Sequence, residues 1–253
     1  MKMSKTILPA LAMLLVSAVM LSTASFAWFA IGSSVEANGM AVDIKSDSAA
    51  LVIAKTSGEI TAQYTGAVIS FGNQATAIAP AAVDEAFFAG YTGDFRTKAA
   101  AEGTWYKKVA DDRGSSTSSS TAIPITNDQL AGYVVKYTMW IAVSAQTNYS
   151  MSDVTAKVTL SGDPSVGVLI VGPNGFANLK NDGTDSSLTL PVAGTSATIV
   201  DQITSTPVEI HVYVYYNGNH NNIYTNNLLV DGINAATVSV TFTAEPATAT
   251  PTN

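Results

Sequence analysis

Hydrophobic and polar positions alternate with a period of two through much of the second half of this chain. Val208, Ile210, Val212, Val214 and Tyr216 share one parity, and Glu209, His211, Tyr213 and Tyr215 take the other. Thr237 to Thr243 ("TVSVTFT") alternates without a break, as do Val154, Ala156, Val158 and Leu160. Alternation of this kind predicts strands with one face in a core. Tyr133–Val143 is a long β-branched and aromatic run, and Val166–Val171 ("VGVLIV") is continuously apolar, as in a strand covered on both faces. Ala50–Ala54 and Ala67–Phe71 predict short early strands, while Ser187–Leu190 and Ala197–Val200 carry weaker patterns. Turn signals separate these runs: Ser161-Gly162-Asp163-Pro164, Gly172-Pro173-Asn174-Gly175, Asn181-Asp182-Gly183 and Asn217-Gly218-Asn219. Many short strands with such punctuation predict an all-β fold, a jelly-roll-like β-sandwich.

Two regions depart from the pattern. Residues 72–130 read as a partly helical or irregular insertion in a sandwich spanning 38–245. Within it, Pro80–Tyr91 predicts a helix with Pro80 in its first turn, and Arg113–Ala122 ("RGSSTSSSTA") predicts a surface loop. The insertion has too few periodic apolar residues to form a core of its own. At the C-terminus, the Pro-, Thr- and Ala-rich stretch ending the chain predicts a disordered tail over 246–253.

The N-terminus has the layout of a signal peptide. Lys2 and Lys5 precede an apolar run from Ile7 to Leu21, interrupted only by Pro9 and Ser17. Ser25-Phe26-Ala27 then provides small residues at the first and third positions of a cleavage triplet. The expectation is a signal-peptide helix over 1–27, cut between Ala27 and Trp28. An uncleaved membrane anchor is the competing reading, because no charge occurs from Thr6 to Val35. After cleavage, Phe29, Ile31, Ser33, Val35 and Ala37 share one parity, and Met40, Val42 and Ile44 follow on the other after Asn38-Gly39. The mature chain therefore begins with two short extended segments.

Composition sharpens this picture. Charged residues make up 12% of 253, against roughly 25% in ordinary soluble domains. The net charge is −7, and losing Lys2 and Lys5 with the leader takes it to −9. This balance argues against a nucleic-acid partner, which needs clustered basic residues. With no cysteine there are no disulfides, thiolate metal sites or cysteine nucleophiles.

Catalytic signatures are missing too. There is no HExxH, no GxSxG elbow, no phosphate loop and no dinucleotide fingerprint. His211 shares a parity with Glu209, but one strand supplies too few metal ligands, and the pair reads as a solvated strand face. His220 lies in an Asn-rich loop and reads as exposed. Asp182 and Asp185 in "NDGTDSS" resemble a fragment of a calcium loop but lack its alternation and closing Glu, so a turn is the better reading. Tyr213, Tyr215, Tyr216 and Tyr224 form an aromatic cluster that either stacks on carbohydrate or packs internally, and packing is favoured. The expectation is a protein that is not an enzyme and has no metal and no cofactor.

Residues Ser22–Asp47 ("STASFAWFAIGSSVEANGMAVDIKSD") resemble the start of exported proteins of the TasA/camelysin type, a family that includes biofilm-matrix fibre subunits. The matching positions are Ala27, Trp28, Phe29 and Gly39. The late hairpin and the closing "TVSVTFTAE" are also similar to strands in related secreted proteins. The resemblance implies a jelly-roll domain exported through a dedicated signal peptidase. It further implies polymerisation with copies of itself, head to tail, by donor-strand exchange, as in archaeal bundling pilins. The donor would be the segment 28–37, with Trp28, Phe29, Ala30, Ile31 and Val35 as its working residues. The membrane would be met only through an uncleaved leader. The insertion has no counterpart in that family, and the metallopeptidase label of some camelysin-like proteins finds no HExxH here. A secreted or membrane-tethered carbohydrate- or surface-binding module stays open as the alternative, with a secreted hydrolase behind it.

Overall fold

Fifteen strands carry the described part of the chain. The computed structural model describes residues 41–44, 51–60, 68–70, 78–107, 123–144, 150–183, 185–193, 198–223 and 237–246. The expected cleavage site, the donor segment and the Arg113–Ala122 loop lie outside these residues. Among the described residues, no helix is long and apolar enough to cross a membrane.

The protein is all-β, as the alternation predicts. One sheet contains β8 (Met151–Ser161), β15 (Thr237–Pro246), β1 (Ala41–Ile44) and β3 (Val68–Ser70) in that spatial order. The far edge of β8 is covered in succession by β11 (Thr189–Leu190) and β13 (Thr198–Ile203). The second sheet runs β12 (Val192–Ala193), β10 (Phe176–Leu179), β9 (Val166–Val171), β14 (Val208–Tyr216), β7 (Val134–Val143) and β2 (Leu51–Ala54). Neighbouring strands pair antiparallel except β1, which runs parallel to β15 with Ala41 opposite Ser239 and Ile44 opposite Phe242.

The two sheets share one apolar core. Val154, Val158, Leu160, Val240 and Phe242 from the first meet Met139, Ile141, Val168, Ile170, Ile210 and Val212 from the second. Burial of this kind stabilises by about 25 cal/mol per Å² of apolar surface and is the dominant favourable term. On β8 the alternation is visible directly: Val154, Ala156, Val158 and Leu160 are buried, while Lys157 and Thr159 are exposed. A bulge interrupts the ladder near Asp153, whose φ of 52° is left-handed. There β15 shifts register between Thr243 and Glu245, and β13 shifts between Thr198 and Val200. The extra residue lets Ile199 and Val200, neighbours in sequence, both enter the core.

The insertion builds a third layer on the outer face of the second sheet. Its strands β4 (Ala81–Val83), β5 (Trp105–Lys107) and β6 (Ile123–Pro124) form a small antiparallel sheet. A 3₁₀ turn at Glu85–Phe88 and a short helix α1 (Phe95–Ala99) lie between β4 and β5. The helix expected to begin at Pro80 is therefore corrected. Ala81–Val83 is a strand because its backbone pairs with Trp105–Lys107, and helical structure begins only where Asp84 caps the 3₁₀ turn. The insertion forms no core alone. Phe88, Phe95, Ala99, Trp105 and Ile125 pack instead on Leu169, Val171, Phe176, Tyr213 and Tyr215 of the sheet. All six residues of β9 are buried for this reason, its two faces lying in two different cores. At the other end, β15 continues through Pro246, so the strand extends into the stretch expected to be a tail.

Candidate functional site

Two clusters of polar side chains lie where the insertion meets the second sheet. The first is built on β14. Period-two geometry puts Glu209, His211, Tyr213 and Tyr215 on the face beneath the insertion. His211 Nε2 lies 2.6 Å from Glu209 Oε1. Its other nitrogen, Nδ1, is buried without a hydrogen-bond partner. Asp94 caps α1 by accepting from the Arg96 backbone N–H at 2.9 Å, and its carboxylate grips the Arg96 guanidinium, with Nη2 to Oδ2 at 2.7 Å. Arg96 Nη1 then donates to the Glu209 carbonyl at 3.2 Å, tying α1 to β14. Lys136, from neighbouring β7, lies over the Tyr213 ring.

These contacts shift the protonation equilibria in different directions. The hydrogen bond from Arg96 holds the Asp94 carboxyl below its usual range, and Asp94 in turn raises Arg96. Burial lowers Lys136. Burial also lowers His211, against the upward pull of Glu209. The Tyr213 phenol is pushed up to about 12 by burial. His211 was expected on a solvated face; it is 9% exposed because the insertion covers that face. A Glu-oriented imidazole is a general-base arrangement in principle. Here the ring is enclosed, with Tyr213 edge-on to it at 6.2 Å and the charges of Lys136 and Arg96 acting on it.

The second cluster lies at the end of β10. Tyr215 Oη donates to Asn178 Oδ1 at 2.7 Å, and Asn178 Nδ2 donates to Glu85 Oε1 at 2.7 Å. Lys180 Nζ lies 3.1 Å from the same Glu85 oxygen and 3.4 Å from Asp182 Oδ2. Asp182 Oδ1 accepts from Asn217 Nδ2 at 3.0 Å, and that amide also donates to the Asn181 carbonyl. Burial drives the Tyr215 phenol well above its ordinary value, so it remains a donor. Glu85 comes from the insertion, and the Gly218 N–H to Ala81 carbonyl bond (2.9 Å) fastens β4 to the turn after β14.

Asp182 and Asp185 do not converge on a cation position. Asp182 engages Lys180 and Asn217, and the Asp185 side chain accepts from the Ser187 N–H at 2.8 Å. Among the described residues, no group of three or more His, Asp or Glu side chains has metal-binding geometry. His220 was expected to be exposed and is 2% exposed. Its Nε2 lies 2.9 Å from the Asp185 carbonyl and its Nδ1 accepts from the Asn222 N–H, so the ring locks the loop. Tyr213, Tyr215 and Tyr216 are buried, in line with the packing reading; Tyr224 lies outside the described residues.

Sequence reasoning missed Asn178, Lys180 and Glu85. The signal for the first two was available: they follow Phe176 at period two, Asn178 on β10 and Lys180 just past its end. The part played by Glu85 depends on a long-range contact that no local pattern carries. In comparisons with protein-family models, curated proteins and solved structures, no match to this chain was found.

Proposed function

We propose that the protein is a structural subunit of an extracellular filament or biofilm-matrix fibre, polymerising by donor-strand exchange. In this reading the leader is removed between Ala27 and Trp28 during export. The segment 28–37, with Phe29, Ile31 and Val35 on one parity, completes the sheet of the next subunit. The two sheets and their connections are taken as a jelly-roll-like sandwich.

The observation that carries the reading is the pairing of β1. This strand follows closely after the proposed donor segment and lies parallel to β15, with Ala41 opposite Ser239. The first residue of β1 therefore lies at the end of the sheet where β15 begins. An extended apolar arm attached at a sheet end is suited to pairing with another subunit's sheet. Each subunit gives one arm and receives one, a head-to-tail contact that propagates as a filament.

The carbohydrate-binding alternative depended on an exposed tyrosine face. Burial of Tyr213, Tyr215 and Tyr216 removes that motive. Electron microscopy of the exported, purified protein tests the proposal. Filaments that disappear on deletion of residues 28–35 are expected. Monomers that persist with the segment intact would overturn it, as would N-terminal sequencing that finds Lys2 retained.

A further inference from the structure

Four reactive groups meet where β10 passes under the Glu85–Phe88 turn. They are an amine (Lys180), a carboxamide (Asn178), a carboxylate (Glu85) and a phenol (Tyr215). Asn178 and Tyr215 have no exposure and Lys180 is 8% exposed. Asn178 lies on β10 and Lys180 follows directly after the strand's last residue, Leu179. Lys180 Nζ and Asn178 Nδ2 approach the same oxygen, Glu85 Oε1, at 3.1 and 2.7 Å. That shared acceptor holds the amine beside the carboxamide. On the opposite side, Tyr215 Oη donates to the carboxamide oxygen at 2.7 Å. A stabilising clip would need only the ion pair. Here an amine nucleophile and a carboxamide electrophile converge on one carboxylate that can carry protons, and a phenol donates to the oxygen that would gain charge.

We propose that Lys180 and Asn178 become joined by an amide bond between Nζ and Cγ, formed within the folded chain. Glu85 takes a proton from the Lys180 ammonium, which frees the lone pair that attacks Cγ. The carbonyl π pair moves onto Oδ1, where the Tyr215 O–H meets the developing charge. Glu85 then passes its proton to Nδ2. The pair on Oδ1 returns, the Cγ–Nδ2 bond breaks and ammonia leaves. Glu85 accepts the surplus proton from the attacking nitrogen and yields it to the ammonia, which departs as ammonium. Atoms and charge balance, and no oxidant or energy source is needed. The product removes a buried ammonium and with it the cost of keeping that charge out of water. The chain has no cysteine, so such a bond would be a covalent link of a different kind within the domain.

Mass spectrometry of the full-length purified chain decides the matter. The expected intact mass is lower by one ammonia than the sequence requires. Trypsin cleaves after free Lys180 but not after an acylated one, and no Lys or Arg follows it. The expected tryptic map therefore lacks cleavage between Lys180 and Asn181 and contains one long C-terminal peptide lighter by ammonia. Lys180→Arg and Glu85→Gln should each restore the full mass. Full mass with complete cleavage after Lys180 in the wild-type chain would overturn the proposal. So would an ammonia deficit that persists in Lys180→Arg, which would mark succinimide formation at Asn178 instead.

Discussion

Tyr213 and Tyr215 occupy successive positions on the same face of β14, both fully buried, yet only Tyr215 hydrogen-bonds its hydroxyl, to Asn178 Oδ1 at 2.7 Å. The Tyr213 hydroxyl is buried without a hydrogen-bond partner. Deleting one oxygen at each position should therefore give opposite results. Tyr215→Phe leaves Asn178 Oδ1 unsatisfied and should destabilise by about 1–3 kcal/mol, while Tyr213→Phe should be neutral or slightly stabilising. Urea denaturation of the two variants beside the wild type measures the difference.

Gly167 lies on β9 directly beneath the Tyr215 ring. A Cβ there would come within 2.5 Å of Cζ, and the ring cannot retreat because Trp105 packs edge-on against it at 5.2 Å. Gly167→Ala should cost about 1–3 kcal/mol through overpacking. A thermal melt unchanged from wild type would contradict this account of the second core.

His211 should make stability depend on pH. Burial sets its folded-state value below the ordinary 6.5; Glu209 opposes that shift, and Lys136 and Arg96 reinforce it. Between the folded value and 6.5 the unfolded chain binds more protons than the folded one, so stability rises with pH across that window. The contribution is complete above 6.5 and is lost as pH falls towards the folded value. Urea midpoints measured from about pH 8 down to about pH 5 should fall, and His211→Gln should flatten the slope.

Phe88 stacks on Phe176 of β10, with centroids 4.3 Å apart, and anchors the third layer. Phe88→Ala should destabilise by about 3–5 kcal/mol. The insertion should feel the loss first. Limited proteolysis is expected to cut within 78–107 before it cuts β7–β9, and simultaneous cleavage throughout would show that the layers unfold as one.

The long strands were legible because their side-chain chemistry repeats at the strand period. For β14 the expected run and the observed strand coincide at Val208–Tyr216, and Val166–Val171 is buried on both faces as its unbroken apolar run implied. The strands of the insertion were not legible. "AAV", "WYK" and "IP" are too short to show a period, and only their partners across the small sheet make them strands. Alternation on β14 also left open what covered its second face. His211 was therefore placed in solvent, although Tyr213 and Tyr215 on the same parity hinted at a covering layer. The Lys180 cluster was hidden for a related reason: its carboxylate arrives from Glu85, far away in sequence.

The parallel pairing of β1 with β15 has a mechanical consequence. Tension applied between the chain before Ala41 and the chain after Pro246 would pull these neighbours along their length in opposite directions. Their hydrogen bonds over Ala41–Ile44 and Ser239–Phe242 would then be loaded together, in shear, and would not open one at a time like a zipper. Extension applied in this way would be resisted where β1 and β15 lie side by side.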